Sequence, residues 1–217
     1  MNVIYEDNHI LVIEKPINVP MQEDESKDLD VIRFTKEYLR VKYNKPGNVF
    51  CGLVHRLDRP VGGVVVLAKT SKAASRLSDS VRTHKMTKKY CAVVVGKLPK
   101  EKILIDYLIK DEKTNTSRVT SEKLGKYSEL TYKVLQSKDN QSLIQIDLKT
   151  GRSHQIRVQF ASRQCPLFGD QRYNKDAKVG QQLALWATEL SFPHPTTQEV
   201  LTFKSELPNT EPWKQFK

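Results

Sequence analysis

Short apolar, β-branched runs recur along the chain without regular alternation with helices, and this pattern limits the fold more than any other feature. Gly63–Ala68 (GVVVLA) is apolar without a break, the mark of a strand buried on both faces. Met1–Glu6 and His9–Glu14 read as two strands joined by the turn Asp7-Asn8. Val49–Val54, Tyr90–Val95, Ile103–Ile109, Glu129–Leu135, Leu143–Leu148, Gln182–Ser191 and Val200–Phe203 read as further strands, and Leu130, Tyr132 and Val134 alternate as strand residues do. Helical spacing predicts a helix from about Leu29 to Tyr43, with Val31, Phe34, Tyr38 and Val41 near its apolar face and Asn44-Lys45-Pro46-Gly47 as its stop. Ser71 is the expected cap of a second helix, running to about His84 and facing Ala73, Ala74, Leu77 and Val81 inward. A third, short helix is predicted from Ser153 to about Ser162. Many strands, few helices and no βαβ rhythm together predict an α+β fold on a largely antiparallel sheet.

The 217 residues are 38% hydrophobic, enough for one substantial core or two lobes of one. Lys and Arg number 36 against 25 acidic residues, a formal net charge of +11. Such a surplus favours a polyanionic partner, because Lys and Arg that neutralise phosphates release counterions; on charge alone, a basic protein with no nucleic-acid role fits as well. Cys51, Cys91 and Cys165 are odd in number and widely spaced, against both a disulfide framework and a zinc site, and in keeping with reduced thiols in a cytoplasmic protein. The strand-like start is unlike a signal peptide, and no apolar run approaches the ~18 residues that a membrane span needs.

Two segments break the apolar pattern. In His55-Arg56-Leu57-Asp58-Arg59-Pro60, four ionisable side chains lie between two apolar strands, where burial is costly unless they pair or do chemistry. In Thr150-Gly151-Arg152-Ser153-His154-Gln155-Ile156-Arg157, a helix opens on polar groups and sets His154 and Arg157 three apart on one face. A carboxylate among guanidinium groups stays ionised, so Asp58 can attack a carbon centre; it can equally tie a loop together. His55 and His154 can each be hydrogen-bonded structural residues. The order HRLD does not match the protein-kinase HRD motif in context, and no P-loop, GxGxxG, HExxH or GxSxG is present. Gly62-Gly63 is read as relieving crowding at a strand start.

The stretch from His55 through Asp58, Gly62-Gly63 and Val64 to Thr70 resembles the catalytic signature of the RluA family of pseudouridine synthases. In order around it stand Val3–Asp7 with Glu14-Lys15-Pro16, Lys89–Gly96, Leu148–Arg157, Pro166–Asp170 with Tyr173, and Leu190–Pro195, so the likeness runs from about residue 2 to 208. It implies the pseudouridine synthase fold, a long mixed but mainly antiparallel β-sheet with flanking helices and loops and a central cleft. It implies isomerisation of uridine in structured RNA, transfer or ribosomal, without metal or organic cofactor. The resemblance casts Asp58 as nucleophile, attacking C1′ or assisting loss of the C2′ proton. It casts Tyr90 as the tyrosine that packs on the base and helps remove the C5 proton, and Arg157 as the partner of the aspartate. Ile156 lines the base pocket, Arg56 fills the gap left by a flipped base, and His55, Arg152 and His154 are placed among the RNA-binding residues. The chain is expected to be one catalytic domain over residues 1–217, monomeric, with no separate RNA-binding domain before it, so that the basic stretch Lys110–Lys126, an exposed loop or hairpin, becomes the candidate for target selection. Two departures stand out. Ile17-Asn18 follow Pro16 where an NKPxG-like turn is usual, and Gln159 replaces a common His, with altered RNA contacts expected there. The rival readings are a catalytically inactive RNA-binding relative, a metal-dependent nuclease built on His55, His154 and clustered carboxylates, and a non-enzymatic basic scaffold.

Overall fold

The computed structural model of the protein describes residues 1–216, which form two compact units. The first comprises Met1–Thr87 and Ala187–Ser205; the second comprises Lys88–Trp186 and the chain from Glu206 on.

In the first unit the strands run β1 (Asn2–Glu6), β2 (Ile10–Lys15), β4 (Gly62–Ala68) and β10 (Leu185–Pro193), with β3 (Gly52–Leu53) paired to β4 and β11 (Val200–Lys204) to β10. The pairs β1/β2, β2/β4, β3/β4 and β10/β11 are antiparallel. Consecutive residues Ile10–Ile13 and Val64–Ala68 are all buried, so both faces of β2 and β4 are covered, as the unbroken apolar run predicts. Asp7 makes the β1–β2 turn by accepting the N–H groups of His9 and Ile10 on Oδ1. Gly63 is needed where it stands: its φ is +115°, and a Cβ there would lie 2.2 Å from the carbonyl oxygen of Ala187.

Helix α1 (Val31–Lys42) is capped by Asp30, whose Oδ1 accepts from Arg33 N–H. Its buried residues are Val31, Thr35 and Leu39, whereas Val41 is 67% exposed. The buried stripe is therefore rotated from the expected one: at 100° per residue Val41 falls on its rim, and Thr35 lies inside it between Val31 and Leu39. Helix α2 (Ser71–Arg82) packs on β4 and is capped by Thr70, not Ser71, through a hydroxyl that accepts from Ala73 N–H at 3.1 Å. The predicted strand over Val49–Val54 shrinks to the two residues of β3.

The second unit is built on an antiparallel sheet in the order β5 (Thr87–Val95), β9 (Gln141–Leu148), β8 (Lys126–Lys138), β6 (Glu101–Asp111), β7 (Thr116–Thr120). The stretch Lys110–Lys126 is thus the end of a hairpin, with β7 as its outer strand. Helix α3 (Gln155–Ala161) buries Ile156, Val158 and Phe160, and the Phe160 ring meets Tyr132 of β8 edge-on at 5.3 Å. Cys91, Val93, Leu143, Ala184 and Trp186 form a further cluster with Trp213 and Phe216 of a 3₁₀ turn (Trp213–Phe216) near the C-terminus.

Candidate active site

The segment between β3 and β4 puts its residues to unequal uses. Leu57 is buried and anchors it; Asp58 is half-buried, and its carbonyl accepts Val61 N–H at 2.9 Å, closing a turn through Arg59-Pro60. His55 Nε2 accepts Val66 N–H at 3.2 Å, which fastens the segment to the backbone of β4. Arg56 is exposed. Arg59 turns to the acidic loop, bonding to Asp24 at 3.3 Å, to Ser26 at 2.9 Å and to Asp28. The guanidinium next in sequence to Asp58 is thus taken up elsewhere.

The cation that acts on Asp58 in this unit is Lys15. It is fully buried at the end of β2, where its Nζ donates to the carbonyls of Pro16 at 2.8 Å and Arg59 at 3.1 Å. Burial pulls its pKa from 10.5 down to about 7, against the opposing pull of the Asp58 carboxylate, with Arg59 adding to the depression. Lys15 was legible only as part of the Glu14-Lys15-Pro16 stretch; its neighbourhood to Asp58, 43 positions away, has no local signature.

In the second unit Tyr90 is buried on β5 and pairs with Ile146 of β9, which in turn pairs with Tyr132 of β8, so all three side chains share a sheet face. Helix α3 is entered through His154, whose left-handed backbone (φ 53°) is uncommon for a residue with a Cβ. Gln155 folds back as a clamp: its Oε1 accepts from Thr150 Oγ1 and Arg152 N–H, and its Nε2 donates to the Glu129 carbonyl and to Gln159. Gln159 is fully buried and donates to Asp106 on β6 at 2.8 Å. No face of it reaches solvent, and its amide joins α3 to the sheet, so any effect on RNA contacts would act through the packing of α3.

Arg157 is buried, and its Nε and one terminal nitrogen donate to the two oxygens of Asp170, each at 2.8 Å. A forked pair of this kind fixes the guanidinium plane. Asp170 is 1% exposed and was read only as part of a motif, not as this partner. The guanidinium carbon also sits 5.1 Å from the centre of the Tyr173 ring, and the Tyr173 hydroxyl is 2.7 Å from His154 Nδ1. Ile156 is buried beside Arg157 on α3. Arg152 is exposed, with its Nε tied to the Tyr127 carbonyl at 2.9 Å, and Lys88 Nζ would meet a Cβ at Gly151 at 3.2 Å. Among the described residues no three His, Cys, Asp or Glu side chains gather as a metal-holding set, so the clustered carboxylates that a nuclease requires are not assembled there.

Comparison with known proteins identifies the family. The profile of the RNA pseudouridylate synthase family matches residues 9–162. The ribosomal large subunit pseudouridine synthase C of Buchnera aphidicola (subsp. Acyrthosiphon pisum) is 32% identical over 215 residues, covering 94% of this chain and 67% of that protein. The ribosomal large subunit pseudouridine synthase D of Vibrio cholerae is 31% identical, over 96% of this chain and 68% of its own length. The chain therefore spans about two thirds of the length of these relatives. The solved structure of human RNA pseudouridylate synthase domain containing 4 has the same fold, with a TM-score of 0.80 at 23% identity, over 95% of this chain and 88% of that one. The chain belongs to the RNA pseudouridine synthases of the RluA type, α+β proteins that isomerise uridine to pseudouridine in RNA.

Proposed function

We propose that this chain isomerises uridines of ribosomal RNA with Asp58 as its nucleophile, Tyr90 as the base-stacking and proton-transferring residue, and Arg157 as the cation that orients the aspartate. The observation that carries the reading is the half-buried carboxylate of Asp58 on a closed turn, with the wholly buried Lys15 beside it and Arg59 committed to the acidic loop. A carboxylate held on a closed turn beside a buried lysine is positioned for attack on C1′, or for removal of the C2′ proton. The reaction breaks the C1′–N1 bond, turns the uracil and rejoins it through C5. The base must first leave its stack, at a cost of a few kcal/mol. The exposed Arg56 is suited to fill the gap. Tyr90 offers a flat face to the uracil, Ile156 an apolar wall, and Arg152 and His154 polar contacts to the RNA; His55 is withdrawn from that set, because its Nε2 accepts from β4 and its Nδ1 is buried. Ribosomal RNA is favoured because the relatives from Buchnera and Vibrio are named for the large ribosomal subunit. Asp58, Tyr90 and Arg157 are all present, so no observation favours an inactive relative.

The test is tritium release from RNA labelled at uracil C5. Asp58→Asn is expected to abolish release while binding the same RNA within a few-fold of the unaltered protein. Equal release by both proteins would remove Asp58 from its role. Mapping pseudouridines in cells with and without the protein identifies the substrate; sites lost only from transfer RNA would overturn the ribosomal assignment.

A further inference from the structure

The Tyr173 side chain joins three groups that the proposed reaction leaves unconnected. Its ring lies 5.1 Å from the Arg157 guanidinium carbon. Its hydroxyl lies 2.7 Å from His154 Nδ1 and accepts Ser117 N–H at 2.8 Å. Ser117 is on β7, the outermost strand of this unit's sheet, and its N–H is aimed at Tyr173 rather than spent on a ladder bond. A second link runs parallel to the first: Arg172 donates to the carbonyls of Thr114, at 3.2 Å, and Asn115 in the turn of the β6–β7 hairpin. The turn carrying both residues is itself closed on Asp170, whose Oδ1 accepts the N–H groups of Arg172 and Tyr173 while it also accepts from Arg157.

We propose that Tyr173 is a positioning residue of the isomerase, held by the β6–β7 hairpin and in turn setting the Arg157 guanidinium and the His154 ring, so that RNA seated on the hairpin orients the active-site arginine. The hydroxyl oxygen accepts Ser117 N–H and can at the same time donate its own proton to Nδ1 of His154, the arrangement that puts the imidazole proton on Nε2 as a donor suited to a phosphate or ribose oxygen. The ring caps one face of a guanidinium whose plane Asp170 already fixes, leaving Arg157 few alternative poses. The hairpin carries exposed Lys110, Lys113 and Arg118, which suit it to phosphates. The inference rests on the reading that Arg157 serves the reaction.

The experiment measures turnover and apparent KM on bulk RNA, labelled with tritium at uracil C5, from cells lacking the protein. Tyr173→Phe keeps the ring and removes only the hydroxyl; it is expected to lower turnover at saturating RNA about tenfold while moving KM less than threefold. Ser117→Pro, which deletes the N–H on an outer strand, should give a similar loss, and combining the two should add less than twofold. Tyr173→Leu, which also uncovers the guanidinium, should lose more. In an Arg157→Lys background, Tyr173→Phe should cost less than twofold. Unchanged turnover for Tyr173→Phe, a loss carried by KM alone, or losses that multiply with Arg157→Lys would overturn the proposal. If Arg157→Lys by itself turns over normally, the reading of Arg157 fails and the proposal falls with it. Thermal unfolding of each variant separates this from misfolding: a tenfold loss of turnover at an unshifted midpoint supports positioning, and a loss that tracks the midpoint refutes it.

Discussion

Replacing Lys15 by methionine separates what that ammonium does for the fold from what it does for Asp58. The side chain is fully buried, and its pKa falls from 10.5 to about 7. At 1.36 kcal/mol per decade, holding the charged form inside the protein costs roughly 5 kcal/mol. Methionine fills nearly the same volume and removes that cost. It also strips the donor from the carbonyls of Pro16 and Arg59, and each buried acceptor left without a partner costs about 1–3 kcal/mol. The two effects nearly cancel, so Lys15→Met should change unfolding free energy by no more than about 2 kcal/mol near pH 7, a shift of a few degrees in Tm at roughly 2–4 °C per kcal/mol. Turnover should behave quite differently. The variant loses a buried cation that interacts with Asp58 and the bond that holds the Arg59 carbonyl, so tritium release should fall by about a hundredfold or more. The pH dependence adds an independent check. The unfolded chain keeps this proton up to about pH 10.5 and the folded chain only to about 7, so the unfolded state binds more protons in between and the stability of the unaltered protein should rise with pH across that window. Urea unfolding of protein and variant at pH 6.5 and 9 measures the difference. A variant that unfolds outright would make Lys15 a stability element, and one that turns over normally would end its assignment to the site.

Gly63→Ala should destabilise the first unit by more than 3 kcal/mol, since a Cβ would meet a backbone oxygen at 2.2 Å from a φ of +115°; a Tm within two degrees of the unaltered protein would refute the packing argument. Glu6 titrates at about 2: burial would raise it, but bonds from Lys42, Lys69, Tyr43 and Tyr38 outweigh burial. Its stabilisation, at most about 3 kcal/mol, should therefore be complete above pH 4.5 and fade as pH falls toward 2. Acid unfolding of Glu6→Gln should lack that component, and parallel acid curves for the two proteins would count against it.

The strands that the sequence discloses are those whose own composition decides them. β2 and β4 are apolar on both faces because both faces are buried, and no other element suits Val64–Leu67. For β7 (TSRVT) the sequence leaves loop and hairpin open, because an outer strand keeps polar residues and takes its identity from pairing with β6. Thr70 and Ser71 are equally good caps by residue type, and only backbone geometry chooses Thr70.

The same division runs through the site. Asp58 and Arg157 stand out because polar groups interrupt apolar runs at a cost that function can explain, whereas Tyr90 lies in an ordinary strand and is singled out only by the family resemblance. What each charge is paired with is a tertiary fact. Arg59 looks like the partner of Asp58 and is bound to Asp28; Arg157 is bound to Asp170, 13 positions on; Lys15 looks like a surface lysine and is fully buried. Ion pairing inside a protein depends on which desolvated charges are brought within a few ångströms, and a linear pattern holds no such distances. A substitution scan limited to the proposed reacting groups would therefore test Asp58, Tyr90 and Arg157 and pass over Lys15, which interacts with Asp58, and Asp170 and Tyr173, which contact Arg157. If those supporting residues prove dispensable, the site is made by its motif residues alone; if they prove costly to lose, the reacting groups are the smaller part of what the fold has to specify.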